Sequence, residues 1–318
     1  MKRWKAISSR GIGVTMLGIL TIAILVCLHI RTAEPPERRP IMGIVATATE
    51  DQRKDAQAAS LMQAAEMYGF DVLSMPVERT LDAQIEAIRA LIVYRVDIIV
   101  FVPLVEDGWE NVMREADAAE IPLLAVDKSV QDAMWKQRKH YVGYDYCALA
   151  QRATEMLLQK EMPAEGVIEL YGTLNSYDAR EIARGSREEL ERQGRKIQYS
   201  FCGDGMRSRG YEIAESLHEH LDEIGYIICH NDAMALGALD YLKENGYIPG
   251  EDICICSFGG GADAREALDA GDLQVLVQLN DWELAKRVSQ TATEMIQTPQ
   301  RSFVWLEQGT VLTEGQGT

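Results

Sequence analysis

The sequence predicts an α/β protein built on parallel sheets and preceded by a membrane-spanning helix. Three observations carry this expectation. Short apolar runs alternate with helical patterns from Ile41 onward, the alternation restarts after Tyr141–Tyr146, and Gly11–Ile30 contains no Asp, Glu, Lys or Arg. A strand, a crossover helix and a second strand in that order make a parallel sheet with right-handed connections.

Gly11–Ile30 is rich in Ile, Leu and Val and has about the length a bilayer core requires. Lys2, Arg3, Lys5 and Arg10 precede it, which favours a cytoplasmic tail over residues 1–10 and an exported body. A cleavable signal fits less well, because apolar regions of signal peptides run about 7–15 residues and end at small side chains. Cleavage after Ala33 would set Arg31 close to the cut, and Ile24-Leu25-Val26-Cys27 is only faintly similar to a lipoprotein box because Val26 is large. The expectation is an uncleaved single-pass anchor over 11–30, with Arg31–Pro40 as a short stiff linker containing Pro35, Pro36 and Pro40.

In the body, Ile41–Ala46 reads as a strand and Lys54–Tyr68 as a helix stopped by Gly69. Strand Asp71–Met75, helix Leu81–Val93, strand Ile98–Val102, helix Trp109–Ala119 and strand Leu123–Val126 follow. After the restart come helix Ala148–Gln159, strand Gly166–Tyr171, helix Arg180–Gln193, strand Gln198–Phe201 and helix Arg207–His220. Tyr226–Cys229 suits a buried parallel strand. Asp232 is the expected N-cap of the Ala-rich helix after it. Gly246 stops that helix, Pro249-Gly250 turns the chain, and Ile253–Phe258 is the next strand. Ligands of open α/β sheets bind beyond the carboxyl ends of strands, where His230-Asn231-Asp232 lies. The Asn231 amide offers two donors and an acceptor oxygen, which suits the hydroxyls of a sugar.

At 318 residues the chain is long enough for about two domains. Its formal charge of −17 is uneven: residues 1–40 hold seven Lys/Arg against Glu34 and Glu37, leaving 25 basic and 47 acidic residues in the remainder. A body that acidic repels phosphate backbones, which argues against a nucleic-acid partner. The six cysteines are Cys27, Cys147, Cys202, Cys229, Cys254 and Cys256. Cys254 and Cys256 sit two apart along one strand, a poor geometry for a disulfide, and no CxxC supports a zinc site. HExxH, GxxxxGK[ST] and GxSxG are absent, so neither an enzyme nor a cofactor is expected.

His230–Ala238 (HNDAMALGA) with Gly246–Ile253 (GYIPGEDI) resembles the type 1 periplasmic sugar-binding proteins, receptors of ABC importers, whose corresponding motif carries a ligand-contacting asparagine. Residues 99–130 resemble that family's strand, helix and strand leading to an Asp-Arg pair, and 266–280 resemble a further stretch. The match extends over most of 41–318. Asp107-Gly108-Trp109-Glu110 and Val167–Thr173 are most similar to the branch that binds galactofuranose. The resemblance implies two Rossmann-like lobes joined by a three-strand hinge, lobe 1 near 41–143 and 279–302, lobe 2 near 144–278 and 303–318. It implies capture of a monosaccharide between the lobes for an ABC permease. The alternative is a membrane-anchored co-sensor that contacts a sensor kinase ectodomain without transport.

By the same resemblance Asp127 and Lys128 match the Asp-Arg pair, and Asn231 and Gln278 match ligand positions. Lys128 keeps a positive charge but not the planar fork of arginine. Four positions depart from the pattern. Ile182 stands where the sugar-binding arginine is expected, with Arg180 or Arg184 as substitutes; Gly205 replaces an aromatic; Gly259 replaces an aspartate; and Arg53 takes the place of the galactofuranose-branch tryptophan. Loss of a ring-stacking face and a hydroxyl acceptor predicts weak stabilisation by common pentoses and hexoses. Gly259→Asp and Gly205→Phe are then expected to strengthen it.

Overall fold

The computed structural model describes residues 38–47, 52–132, 135, 140–298 and 303–313. The apolar segment 11–30 lies outside them. Among the described residues no helix is long and apolar enough to cross a membrane. Residues Pro40–Thr318 form one compact unit, and within it the strands make two six-stranded sheets.

The first lobe contains β1 (Ile41–Thr47), α1 (Gln52–Met67), β2 (Asp71–Val77), α2 (Leu81–Val93), β3 (Ile98–Phe101), α3 (Glu110–Ala118), β4 (Leu123–Asp127) and β5 (His140–Tyr144). The second contains α4 (Tyr146–Leu158), β6 (Gly166–Tyr171), α5 (Tyr177–Arg192), β7 (Tyr199–Cys202), α6 (Arg207–Ser216), β8 (Ile224–Cys229), α7 (Asp232–Glu244), β9 (Cys254–Gly259), α8 (Ala262–Asp269) and β10 (Val275–Gln278). The chain then returns to the first lobe as α9 (Asp281–Gln297) and β11 (Phe303–Glu307), and ends in the second as β12 (Thr310–Thr313). It thus passes between the sheets three times, after β5, after β10 and between β11 and β12.

The first sheet has the order β11-β5-β4-β3-β1-β2 and is parallel throughout. The second runs β12-β10-β9-β8-β6-β7, parallel except for β12. Every residue of β3, β4, β8 and β9 is buried, as expected for strands covered by helices on both faces. The order reverses direction at β1/β3 in one sheet and at β6/β8 in the other. Those switch points are where open α/β sheets leave a crevice beyond their carboxyl ends, and they place the cleft.

Three local expectations are corrected. The resemblance places residues 303–307 in the second lobe, yet Phe303–Glu307 pairs in register with His140–Tyr144 of the first sheet. The helix expected over Arg207–His220 stops at Ser216 and continues as a 3₁₀ turn over His218–Glu223. The cap of α7 is Asn231 rather than Asp232: Asn231 has extended backbone and its side chain accepts from the Met234 N–H. The Asp232 carboxylate is engaged elsewhere, accepting from the Ser257 hydroxyl at 2.5 Å and the Gly261 N–H at 2.8 Å.

Candidate functional site

A cavity of about 370 Å³ lies between the lobes. Thr47, Val102 and Lys128 line it from the carboxyl ends of β1, β3 and β4, and Gly172, His230 and Asn231 from those of β6 and β8. Gln57, Arg79 and Asp178 complete its polar wall.

Of the residues expected at the site, Lys128 and Asn231 meet in this wall. Lys128 is buried and reaches into the second lobe, its Nζ donating to Ser176 Oγ at 2.9 Å and pairing with Asp178 Oδ2 at 2.9 Å. Asn231 uses Oδ1 for the Met234 N–H at 3.1 Å and Nδ2 for the Gly205 carbonyl at 3.0 Å. Its amide therefore locks α7 to the loop after β7 as well as facing the cavity.

Asp127 lies behind the wall. It is fully buried with φ of 65°, a left-handed conformation that aspartate tolerates better than most residues. Arg53 Nη2 donates to its Oδ2 at 3.2 Å and the Tyr146 hydroxyl donates to Oδ1. Burial and the Asp127 charge push the Tyr146 phenol well up, so it remains a donor. Arg53 Nη1 donates to Asp281 Oδ1 at 2.6 Å, and Gln57 Nε2 donates to the same oxygen at 2.9 Å. Arg53 thus stands as the shared counter-ion of two carboxylates, at the position where the resemblance places a tryptophan.

Arg180 and Arg184 lie away from the cavity wall. Arg180 pairs with Glu106 and Glu181, and Arg184 with Glu181 and Glu188. Gln278 closes β10, in register with Gly259 and Thr310, also outside the described wall. Trp109 is a core residue: fully buried, its ring centroid 5.1 Å from that of Phe101, its indole N–H donating to the Val105 carbonyl at 2.9 Å.

Beneath the cavity His230 links the site to the sheet. The Gly172 N–H donates to Nδ1 at 3.3 Å, so Nε2 carries the proton that faces Glu169 Oε1 at 3.1 Å. Ser200 Oγ and Arg187 Nη2 donate to the other Glu169 oxygen at 2.6 and 2.7 Å. Burial opposes ionisation of this carboxyl, but the hydrogen bonds from His230 and Ser200 and the Arg187 charge hold it below the usual carboxylate range.

Arg79 was missed by sequence reasoning. It belongs to no motif; its one signal is a long cation beyond the carboxyl end of a strand, directly before Thr80, whose hydroxyl oxygen caps α2.

The two glycines expected to be replaceable are required by backbone geometry. Gly205 has φ of 74°, and a Cβ there would lie 3.3 Å from Asn231 Nδ2. Gly259 has φ of 155°, and a Cβ there would lie 2.3 Å from Asp232 Oδ2. Both backbones favour glycine, so installing the absent ring and carboxylate is not a simple restoration.

Comparison with known proteins agrees with this fold. Residues 42–300 match the family described as a periplasmic binding protein domain. The galactofuranose-binding protein YtfQ of Escherichia coli (strain K12) is 30% identical over 244 residues, covering 75% of this chain and 76% of that protein. The ribose import binding protein RbsB of the same strain is 24% identical over 233 residues, covering 73% and 76%. Among solved structures, a galactofuranose binding protein superposes with a TM-score of 0.82 at 26% identity, covering 87% of this chain and 96% of that one. The periplasmic component of the arabinose ABC transporter from Shewanella sp. ANA-3, bound to α- and β-L-arabinofuranose, gives 0.81 at 26%, covering 87% and 93%. These relatives are substrate-binding proteins rather than enzymes. The chain belongs to the periplasmic binding protein family, in its type 1 sugar-binding group.

Proposed function

We propose that the protein is an extracytoplasmic solute-binding protein that captures a furanose-form monosaccharide between its lobes for an ABC-type importer. The observation that carries this is a cavity whose wall joins Lys128 of the first lobe to Asn231 of the second, on a chain 30% identical to a galactofuranose-binding protein. Hydrogen-bonding groups from both lobes favour the closed form when a polyol lies between them. Nothing in the cleft geometry favours the co-sensor alternative.

Calorimetry and thermal shift of the full chain against galactofuranose, arabinofuranose and ribose test the proposal, since a ligand that binds only the folded state must raise Tm. Asn231→Ser keeps a capping oxygen and removes the amide donor; Lys128→Ala removes the cation. Each is expected to weaken furanose binding by roughly tenfold to a hundredfold, the cost of about 1–3 kcal/mol for an unpaired buried polar partner. No heat and no Tm shift with any furanose would sink the assignment.

The same proposal includes a membrane tether. The length of Gly11–Ile30 and the basic residues before it support an uncleaved single-pass anchor. Intact-mass analysis of protein purified from membranes is expected to find residues 1–33 present. A mature N-terminus near Cys27 or Glu34 would show a cleaved signal or lipoprotein instead.

A further inference from the structure

The lobes are joined across the cleft by the protein's own charges. Arg79, between β2 and α2 of the first lobe, spans to the second. Its Nη1 donates to Asp204 Oδ2 at 2.8 Å, and its Nη2 lies 2.6 Å from Thr173 Oγ1, 2.6 Å from the Asp204 carbonyl and 3.0 Å from Asp204 Oδ1. Asp204 and Gly205 have φ of 52° and 74°, a turn in which carbonyl and carboxylate of one residue meet the same guanidinium. A second bridge has the opposite polarity. Glu106, buried after β3 in the first lobe, accepts from Arg180 Nε at 2.9 Å and Nη2 at 2.7 Å in the second. Beside it the Glu106 backbone N–H donates to the Asn175 carbonyl at 2.8 Å, a backbone bond that exists only while the lobes are together.

We propose that Arg79–Asp204 and Glu106–Arg180 are clasps that hold the cleft closed in the absence of ligand, and that Arg79 is a positioning residue setting how long a ligand stays inside. Forked guanidinium–carboxylate contacts are the stronger, geometrically selective kind of ion pair. Both span lobes that must separate to admit a ligand, so their free energy adds to the closed state. A ligand entering through the open form then binds with an apparent affinity reduced by the fraction of molecules open, while its escape is slowed by the same contacts. Arg79 lines the cavity as well as bridging it, so loosening it acts at the ligand. The clasps follow from interlobe geometry alone and do not depend on which sugar is bound.

The test needs no ligand. Hydrogen–deuterium exchange of the Glu106 amide is followed in the full chain without added sugar, with the Ile99 amide as an internal reference because its bond to the Pro122 carbonyl at 3.0 Å lies within one lobe. The wild-type Glu106 amide is expected to be protected. Arg79→Ala and Arg180→Ala are each expected to speed its exchange about tenfold or more without changing Ile99, as loss of a charge-assisted contact implies. Arg79→Lys, which keeps the charge but not the fork, should fall between. Raising salt from about 0.05 M to about 1 M should also speed Glu106 exchange, since these partly exposed pairs are screened. An unprotected Glu106 amide in the ligand-free wild type would overturn the proposal, and so would equal exchange in wild type and Arg79→Ala.

Discussion

Arg53→Ala is expected to destabilise the protein by about 3–5 kcal/mol, the range for removing one partner of a buried ion pair. The guanidinium holds Asp281 at 2.6 Å and Asp127 at 3.2 Å, and the two carboxylate side chains are 10% and 0% exposed. Without it both charges lose that guanidinium in a place where water solvates them poorly. Asp281 keeps the donor from Gln57 and a position in the first turn of α9, and Asp127 keeps the Tyr146 hydroxyl, contacts that are weaker than a guanidinium's. For a body of this size the loss corresponds to a Tm drop of roughly 6–20 °C. Adding Asp127→Asn, which removes one stranded charge and tolerates the left-handed backbone, is expected to recover part of it. Urea denaturation of the three proteins measures both effects. A change below about 1 kcal/mol for Arg53→Ala would show that the pair contributes nothing beyond a surface contact. Installing tryptophan at position 53, where the resemblance places one, is expected to fail for the same reason, because an indole removes the guanidinium that holds Asp127 and Asp281.

Gly259→Asp is expected to destabilise the fold by about 2–6 kcal/mol instead of creating a sugar acceptor. Two costs combine. At φ of 155° an L side chain is strained by about 1–3 kcal/mol, and the new Cβ would meet Asp232 Oδ2 at 2.3 Å, where overpacking costs about 1–3 kcal/mol. Asp232 cannot easily swing aside, because Ser257 and Gly261 hold its two oxygens, and the added carboxylate repels it. Gly259→Ala separates the contributions: it carries the strain and the contact without the charge, and is expected to lose less than Gly259→Asp. Thermal denaturation of the two variants decides the matter. A Gly259→Asp protein melting with the wild type would mean that β9 ends in a softer turn than its hydrogen bonds imply.

The sequence by itself determined the α/β class, the restart that separates two sheets, and the placement of Asn231 beyond the end of a buried strand. These rest on local signals. Periodicity and punctuation delimit Leu81–Val93 and Gly166–Tyr171 with the bounds the structure shows, because residues within one element are what create its pattern. Tertiary structure decided how the charged groups are used. Asp127 stands in a motif, but its carboxylate is occupied by a guanidinium 74 positions away. Arg79 stands in none, yet meets Asp204 at a separation of 125. Asn231 and Asp232 are both good caps; the choice between them falls to Ser257 and Gly261, which engage the Asp232 carboxylate from across the lobe. Trp109 carries the branch resemblance but packs into the core beside Phe101. Phe303–Glu307 joins the first sheet because β5 presents a matching edge there. Each of these outcomes is a competition for one partner among groups distant in the chain, and such competitions are settled only when the fold brings the competitors within hydrogen-bonding distance.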